Sequence, residues 1–322
     1  MRAVIIGGTG HVGTYLVPRL VQADYDVVVV SRGNRQPYQP HPAWQQVKRV
    51  VLDREKGDLD GSFGGEIAGL KPDIVIDMIS FSEVSSRHLV EALHGRVQHI
   101  LVCGTIWVHG HSCLVPASEH EGSSPFGDYG IRKARMRDYL LHEARRNGLP
   151  VTILHPGHIV GPGWHIVNPL GNFNPDVFTR IARGETLRFP TQGLETVHHV
   201  HADDVAQIFQ RSLENWNLAV GEEFHVVSEQ AITVRGYAEA VASWFNREPK
   251  LEFMAGDEWK AGLSEEDVAL TWDHLLHSPN CSIEKAKRFL GYRPRYNSLQ
   301  AVFEALAWLI ENGEVKPYST RR

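Results

Sequence analysis

Gly7-Gly8-Thr9-Gly10-His11-Val12-Gly13 sits directly between the apolar run Ala3–Ile6 and a helical pattern over His11–Ala23. Glycines at that spacing on a strand-to-helix junction permit a tight turn and close approach of the backbone to a pyrophosphate. The helix start then offers free N–H groups and a favourable dipole to that anion. The junction therefore predicts a dinucleotide-binding turn, with Gly7, Thr9, Gly10, His11, Val12 and Gly13 at the cofactor.

The rest of the first half repeats the strand–helix alternation. Val27–Val30, Val47–Leu52, Ile74–Ile76, His99–Val102 and Val151–Leu154 read as strands, and Ser82–Leu93 and Tyr129–Asn147 as helices. The strands are mostly continuous in Val, Ile and Leu, as expected where helices cover both faces. The fold class is α/β, a Rossmann-type doubly wound parallel sheet. In the second half, Gly161–Asn174 reads as a loop approaching a ligand. A helix near Pro175–Arg183, a strand over Thr196–His201, a helix near Asp204–Leu213, a strand over Glu223–Val227, and helices over Val234–Phe245 and Leu299–Glu311 follow. No repeat or linker marks a break. The expected division is a dinucleotide-binding domain over 1–163 and 196–230, with a smaller, discontinuous α/β substrate-binding lobe over 164–195 and 231–322.

The end of the second strand normally reads the adenosine ribose, where an acidic residue favours NAD. Here it reads Val30-Ser31-Arg32-Gly33, with Arg35 close behind. Arg32 can make charge-assisted bonds to a 2′-phosphate and Ser31 removes acidic repulsion, so NADP is favoured and NAD remains an alternative. Asp53, ending the third strand, is placed to accept from an adenine amino group. Tyr129-Gly130-Ile131-Arg132-Lys133 opens a helix with Tyr and Lys one turn apart on one face. A neighbouring ammonium lowers a phenol's pKa, so the pair can move a proton at a carbinol oxygen while hydride passes to or from nicotinamide.

Five segments in order extend this reading. Leu101–Gly110 (LVCGTIWVHG) resembles the Ser-Ser-x-x-x-Val-Tyr-Gly segment of the extended short-chain dehydrogenases, the NAD-dependent epimerase/dehydratase family. The 24 residues from Thr105 to Tyr129 agree with that family's spacing. His155–Pro162 (HPGHIVGP) resembles its Arg-Pro-x-x-x-x-Gly-Pro segment, His201–Ala206 (HADDVA) its Val-Asp-Asp-Val-Ala element, and Ser282–Pro294 its C-terminal Asp-x-x-Lys-Ala…Leu-Gly-Trp-x-Pro signature. The resemblance implies that Thr105 bonds the reacting oxygen, that Tyr129 is the acid/base, and that Lys133 also holds the nicotinamide ribose. It implies further cofactor contacts from Met78, Ile79, Ser80, Pro156, Gly157 and His158, and a homodimer through the helices near Ser82–Leu93 and Tyr129–Asn147.

The chain departs from the nucleotide-sugar members of that family. Val197 stands where an arginine grips the substrate diphosphate, and residues 255–277 hold no arginine, only Lys260. Without those clamps a diphosphate lacks its partners. The expected substrate is a smaller sugar-like hydroxy or oxo compound, bound among Trp107, His158, His165, Asn168, Asn172, His198 and His199. In a strand, His199 and His201 would face away from His198. Epimerase or dehydratase chemistry and dehydrogenase or reductase chemistry both remain open. A non-catalytic dinucleotide sensor or RNA-binding relative is the alternative.

Charge and composition narrow the partners. A net charge of −5 argues against nucleic acid and anionic membranes, and the three cysteines, in no metal or redox spacing, suit the cytoplasm. Eighteen histidines raise the question of a metal, but no carboxylate or cysteine completes a familiar ligand spacing, so none is expected.

Overall fold

The structure, a computed structural model, describes residues 1–317. Its centre is a parallel sheet of β1 (Arg2–Ile6), β2 (Asp26–Ser31), β3 (Lys48–Val51), β4 (Ile74–Asp77), β5 (His99–Cys103), β6 (Val151–Pro156) and a last strand over Glu223–Val226. The order runs 223–226, β6, β5, β4, β1, β2, β3, and every pairing is parallel. Chain direction therefore reverses its progress between β1 and β4, the switch point at which such sheets open a crevice.

Alternation along each strand sends apolar side chains to both faces. Ala3, Ile5, Val27 and Val29 pack beneath Leu16, Val17 and Leu20 of α1 (His11–Gln22) and Ile208 and Phe209 of the helix Ala202–Glu214. Val4, Ile6, Val28 and Val30 pack against α4 (Glu83–Leu93) and α5 (Gly127–Asn147), with α3 (Phe63–Gly69) beside them. A further short helix, α2 (Arg54–Asp60), precedes α3 in the β3–β4 crossover. Neither α2 nor α3 was expected, because α2 carries a single apolar side chain, Leu59, and α3 is rich in glycine.

The second lobe has its own core of Ile166, Val167, Phe178, Phe189, Tyr237, Val241, Val302 and Leu306. Around it lie β7 (His158–Val160), α6 (Asp176–Ala182), β8 (Leu187–Phe189), β9 (Thr196–Val197) and β10 (His199–His201), after which α7 (Ala202–Glu214) returns to the large sheet and packs on α1. Then follow α8 (Trp216–Ala219), β11 (the sheet's edge, Glu223–Val226), β12 (Ile232–Thr233), α9 (Val234–Trp244), β13 (Leu251–Phe253), α10 (Gly256–Trp259), α11 (Glu265–His277), α12 (Glu284–Leu290) and α13 (Ser298–Glu311). The strand expected over Thr196–His201 is broken: β9 pairs with β12, β10 pairs with β7, and His198 lies between. The break cancels the simple alternation, and His198, His199 and His201 are all buried. Cys281, Ile283, Ala286, Leu290 and Tyr292 join the Rossmann core rather than the second lobe, because α12 lays its apolar face beside Phe224.

Candidate active site

The glycine turn is built as a cradle at the switch point. Gly7 has φ +81°, and a Cβ there would stand 2.8 Å from Ile79 at the end of β4. At Gly13 a Cβ would meet the Gly8 carbonyl at 2.0 Å, so only glycine lets α1 press this closely on the turn. The helix N-cap, Gly10, supplies no side-chain cap, which leaves the first-turn N–H groups for an anion. Thr9, His11 and Val12 are buried around it. His11 stacks on Trp164 at 4.9 Å with neither ring nitrogen bonded; burial, then His201, lower its pKa to about 3 and keep it neutral.

The adenosine end is more open. Arg32 is exposed, and the Ser31 hydroxyl accepts the Gly33 N–H at 3.3 Å. Asp53 is the N-cap of α2 and accepts the Lys56 N–H at 3.3 Å, which gives it a structural task at the position expected to meet adenine. Met78 and Ile79 are half-buried beside the turn, and Ser80 is buried with its hydroxyl 2.6 Å from that of Ser86. Gly157, after Pro156, admits no side chain because a Cβ would lie 2.2 Å from the His198 carbonyl.

Thr105, Tyr129 and Lys133 converge in front of that cradle. Lys133 is 1% exposed, donates from Nζ to the carbonyls of Ser80 (2.6 Å) and Cys103 (2.8 Å), and lies 5.9 Å from the Tyr129 ring centre. Burial lowers its pKa against the raising influence of Cys103 and Asp77. Thr105 accepts the Trp107 N–H on Oγ1 at 3.3 Å. The expected depression of the Tyr129 phenol is not what the geometry gives. Burial first, then Cys103, push it up to about 12, against the lowering hydrogen bond with Thr105, even though 37% of the residue remains accessible. Tyr129 is a protonated phenol at neutral pH.

Beside Tyr129 lies a wall of aromatic rings. Trp107 meets Tyr129 edge-on at 5.8 Å and stacks on His277 at 3.9 Å; His274 meets Trp107 at 5.1 Å and His158 at 5.2 Å. His158 accepts the His198 N–H on Nδ1 at 3.2 Å, and its buried Nε2 has no partner. His199 approaches His158 at 5.7 Å, with Nε2 bonded to the Val167 carbonyl. Burial drives His199 to about 3, His277 to about 4, and His158 and His274 downward. The wall is therefore uncharged at neutral pH.

Three expected lining residues are occupied elsewhere. His198 accepts from Cys281 N–H and bonds the Ser228 carbonyl. Asn172 and Asn168 brace the 168–174 loop, with Asn172 also reaching Thr271 at 3.0 Å. His165 is exposed. His274 and His277 were missed with their helix. Its signal was legible: Ser264 caps α11 by accepting from Asp267 N–H, with three acidic residues in the first turn.

Behind Thr105, His155 lies fully buried between the Thr105 amide and Glu223, whose carboxylate meets its Nε2 at 2.9 Å. Burial alone would raise the Glu223 pKa, but the His155 hydrogen bond, with Arg137 and Lys285 nearby, lowers it. A carboxylate depressed in this way stabilises the fold above its unfolded pKa, a contribution lost as pH falls toward the folded value. Urea denaturation at a series of pH values is expected to show a shallower loss below pH about 4.5 in Glu223→Gln than in wild type. Equal slopes would remove Glu223 from the acid response.

Among the described residues no group of three or more His, Cys, Asp and Glu is arranged to hold a metal ion, and no helix is long and apolar enough to cross a membrane.

Residues 3–226 match the family described as NAD dependent epimerase/dehydratase family. The chain is 24% identical over 319 residues to 2'-dehydrokanamycin reductase of Streptomyces kanamyceticus, covering 98% of this chain and 86% of that one. It is 23% identical over 316 residues to the chloroplast stem-loop binding protein of 41 kDa b of Arabidopsis thaliana, covering 94% and 78%. The UDP-glucose 4-epimerase structure from Thermotoga maritima superposes with a TM-score of 0.73 at 20% identity, covering 97% and 99%, a likeness of fold.

Proposed function

The chain belongs to the NAD dependent epimerase/dehydratase family, and from that premise we propose that it reduces or oxidises a small, sugar-like molecule without a nucleotide, using NADP(H). The observation that carries this reading is geometric: Lys133, buried and held by the Ser80 and Cys103 carbonyls, lies 5.9 Å from the Tyr129 ring, next to the segment whose Ile79 presses on the Gly7 turn. When bound there, the dinucleotide supplies the hydride carrier. Gly7, Gly10 and Gly13 shape the turn that receives its phosphates, and Lys133 stands ready for the ribose. Thr105 donates a hydrogen bond to the reacting oxygen. Tyr129 gives its proton to that oxygen in the reductive direction and takes it back in the oxidative one.

Arg32, with no acidic residue beside it at the end of β2, supports a reductase or dehydrogenase that exchanges NADP(H) each turnover. The neutral histidine wall supports an uncharged, hydroxylated substrate, as does the buried Val197 in place of a diphosphate clamp. On this reading residues 1–163 and 196–230 hold the dinucleotide, and 164–195 and 231–322, apart from the α12 segment, close on the substrate. The enzyme works in cytoplasmic carbohydrate metabolism as a homodimer through α4 and α5.

Protein purified without added cofactor, denatured and analysed for nucleotide tests the choice. An empty protein that binds NADPH more tightly than NADH agrees with it; near-stoichiometric NAD would replace it with an internal redox cycle. Arg32→Ser is expected to lower the NADPH-over-NADH preference by on the order of 10-fold, since it removes one charge-assisted phosphate contact. An unchanged preference would free Arg32 of that role.

A further inference from the structure

The Thr105 amide lies just past the end of β5, where the backbone ladder stops. Gly104 N–H still reaches the Leu154 carbonyl at 2.6 Å, but Thr105 N–H turns to the ring of His155 and donates to Nδ1 at 3.1 Å. The ring is pressed on this peptide: a Cβ on Gly104 would stand 2.3 Å from that nitrogen. A nitrogen that accepts carries no proton, so the neutral ring holds its proton on Nε2. That nitrogen faces the Glu223 carboxylate at 2.9 Å, from the neighbouring strand β11. The tautomer is thus fixed from both sides.

We propose that His155 and Glu223 act as a positioning pair for Thr105. The proposal rests on the reading of Thr105 as the hydroxyl that meets the reacting oxygen. Thr105 Oγ1 already accepts the Trp107 N–H, which leaves its own proton to donate toward the site. The direction of that proton and the place of Trp107 both depend on the Thr105 backbone. The segment His155–Pro162 otherwise resembles one that begins with arginine, and an arginine has donors only, so it cannot receive the Thr105 N–H. Histidine here reverses the polarity of the contact. Glu223 then prevents the ring from adopting the other tautomer, which would set two N–H groups against each other.

Two near-isosteric variants separate positioning from mere filling of space. Asparagine places an oxygen close to where Nδ1 stands and keeps an acceptor for Thr105; glutamine reaches Glu223 and leaves Thr105 unserved. In the full-length ¹⁵N-labelled protein, the His155 ring is expected in the Nε2–H form at neutral pH. The Thr105 amide should exchange slowly in wild type and His155→Asn, and at least about 10-fold faster in His155→Gln, where its partner is lost. For NADPH oxidation by a panel of small keto sugars and aldoses, His155→Gln should lower kcat by about 10–100-fold with KM for NADPH unchanged, and His155→Asn by about threefold or less. An Nδ1–H or doubly protonated ring in wild type overturns the proposal, as does equal amide exchange in the two variants. If wild type turns over no member of the panel and binds no dinucleotide, the hydride-transfer reading fails, and the ring and amide signals still decide the positioning.

Discussion

Tyr129→Phe is expected to reduce hydride transfer by about 10³-fold while NADPH binds within about twofold of wild type. The substitution removes one oxygen and keeps the ring that meets Trp107 edge-on at 5.8 Å, so the pocket wall and the glycine cradle stay in place. On the proposed reading, what is lost is the proton for the nascent alkoxide. Thr105 can still bond the oxygen, and Lys133 remains tied to the Ser80 and Cys103 carbonyls, so neither replaces the phenol. The decrease should therefore fall on kcat, in single-turnover NADPH oxidation, with binding followed separately by tryptophan fluorescence. A non-catalytic sensor or RNA-binding chain would keep its ligand and its output in this variant. Retention of more than about a tenth of the wild-type rate would mean that another group carries the proton.

Much of this candidate site is legible in the sequence, because it depends on local spacing. The glycine turn follows from its place after β1, and Thr105, Tyr129 and Lys133 from the 24-residue interval and the helical i,i+4 pair. Most of the six early strands were legible because both their faces are apolar; β3, at the sheet edge with Lys48, Arg49 and Val51 exposed, is the exception. What stayed hidden depends on contacts between distant segments. Nothing in Tyr-x-x-x-Lys says that Lys133 points at two carbonyls or that burial raises the Tyr129 pKa. Nor does it show that His274 and His277 of α11 come to rest on Trp107. The histidines are the clearest case. Eighteen of them suggest a metal, yet ring after ring has a nitrogen engaged by the backbone: His198 by Ser228, His199 by Val167, His225 by Ser282, His274 by Leu270 and His277 by Asp273. Burial holds the rings neutral and these bonds fix their tautomers, so each ring acts as a hydrogen-bonding strut.

The largest loss of stability is expected from Asp77→Ala. Asp77 and Arg54 are 1% and 7% exposed at their side chains, and the guanidinium donates to both carboxylate oxygens at 2.6 Å. Removing the carboxylate strands a buried cation, a change that costs about 3–5 kcal/mol when one partner of such a pair is deleted. Asp58 and Ser85 still receive Arg54, at 3.3 and 2.9 Å, so the lower end of that range applies. The pair also bears on the site. Asp77 accepts the Ile79 N–H at 3.1 Å and so fixes the segment whose Ser80 carbonyl holds Lys133 and whose Ile79 faces Gly7. Two losses should thus appear together, in the denaturation midpoint and in NADPH affinity. The double variant Arg54→Met/Asp77→Ala separates them. Replacing both charges by apolar volume should recover most of the stability, whereas the Ile79 amide still lacks its acceptor and the affinity should stay low. Recovery of both would reduce Asp77 to a counter-ion. Loss of less than about 1 kcal/mol in the single variant would show that Asp58 alone suffices for Arg54.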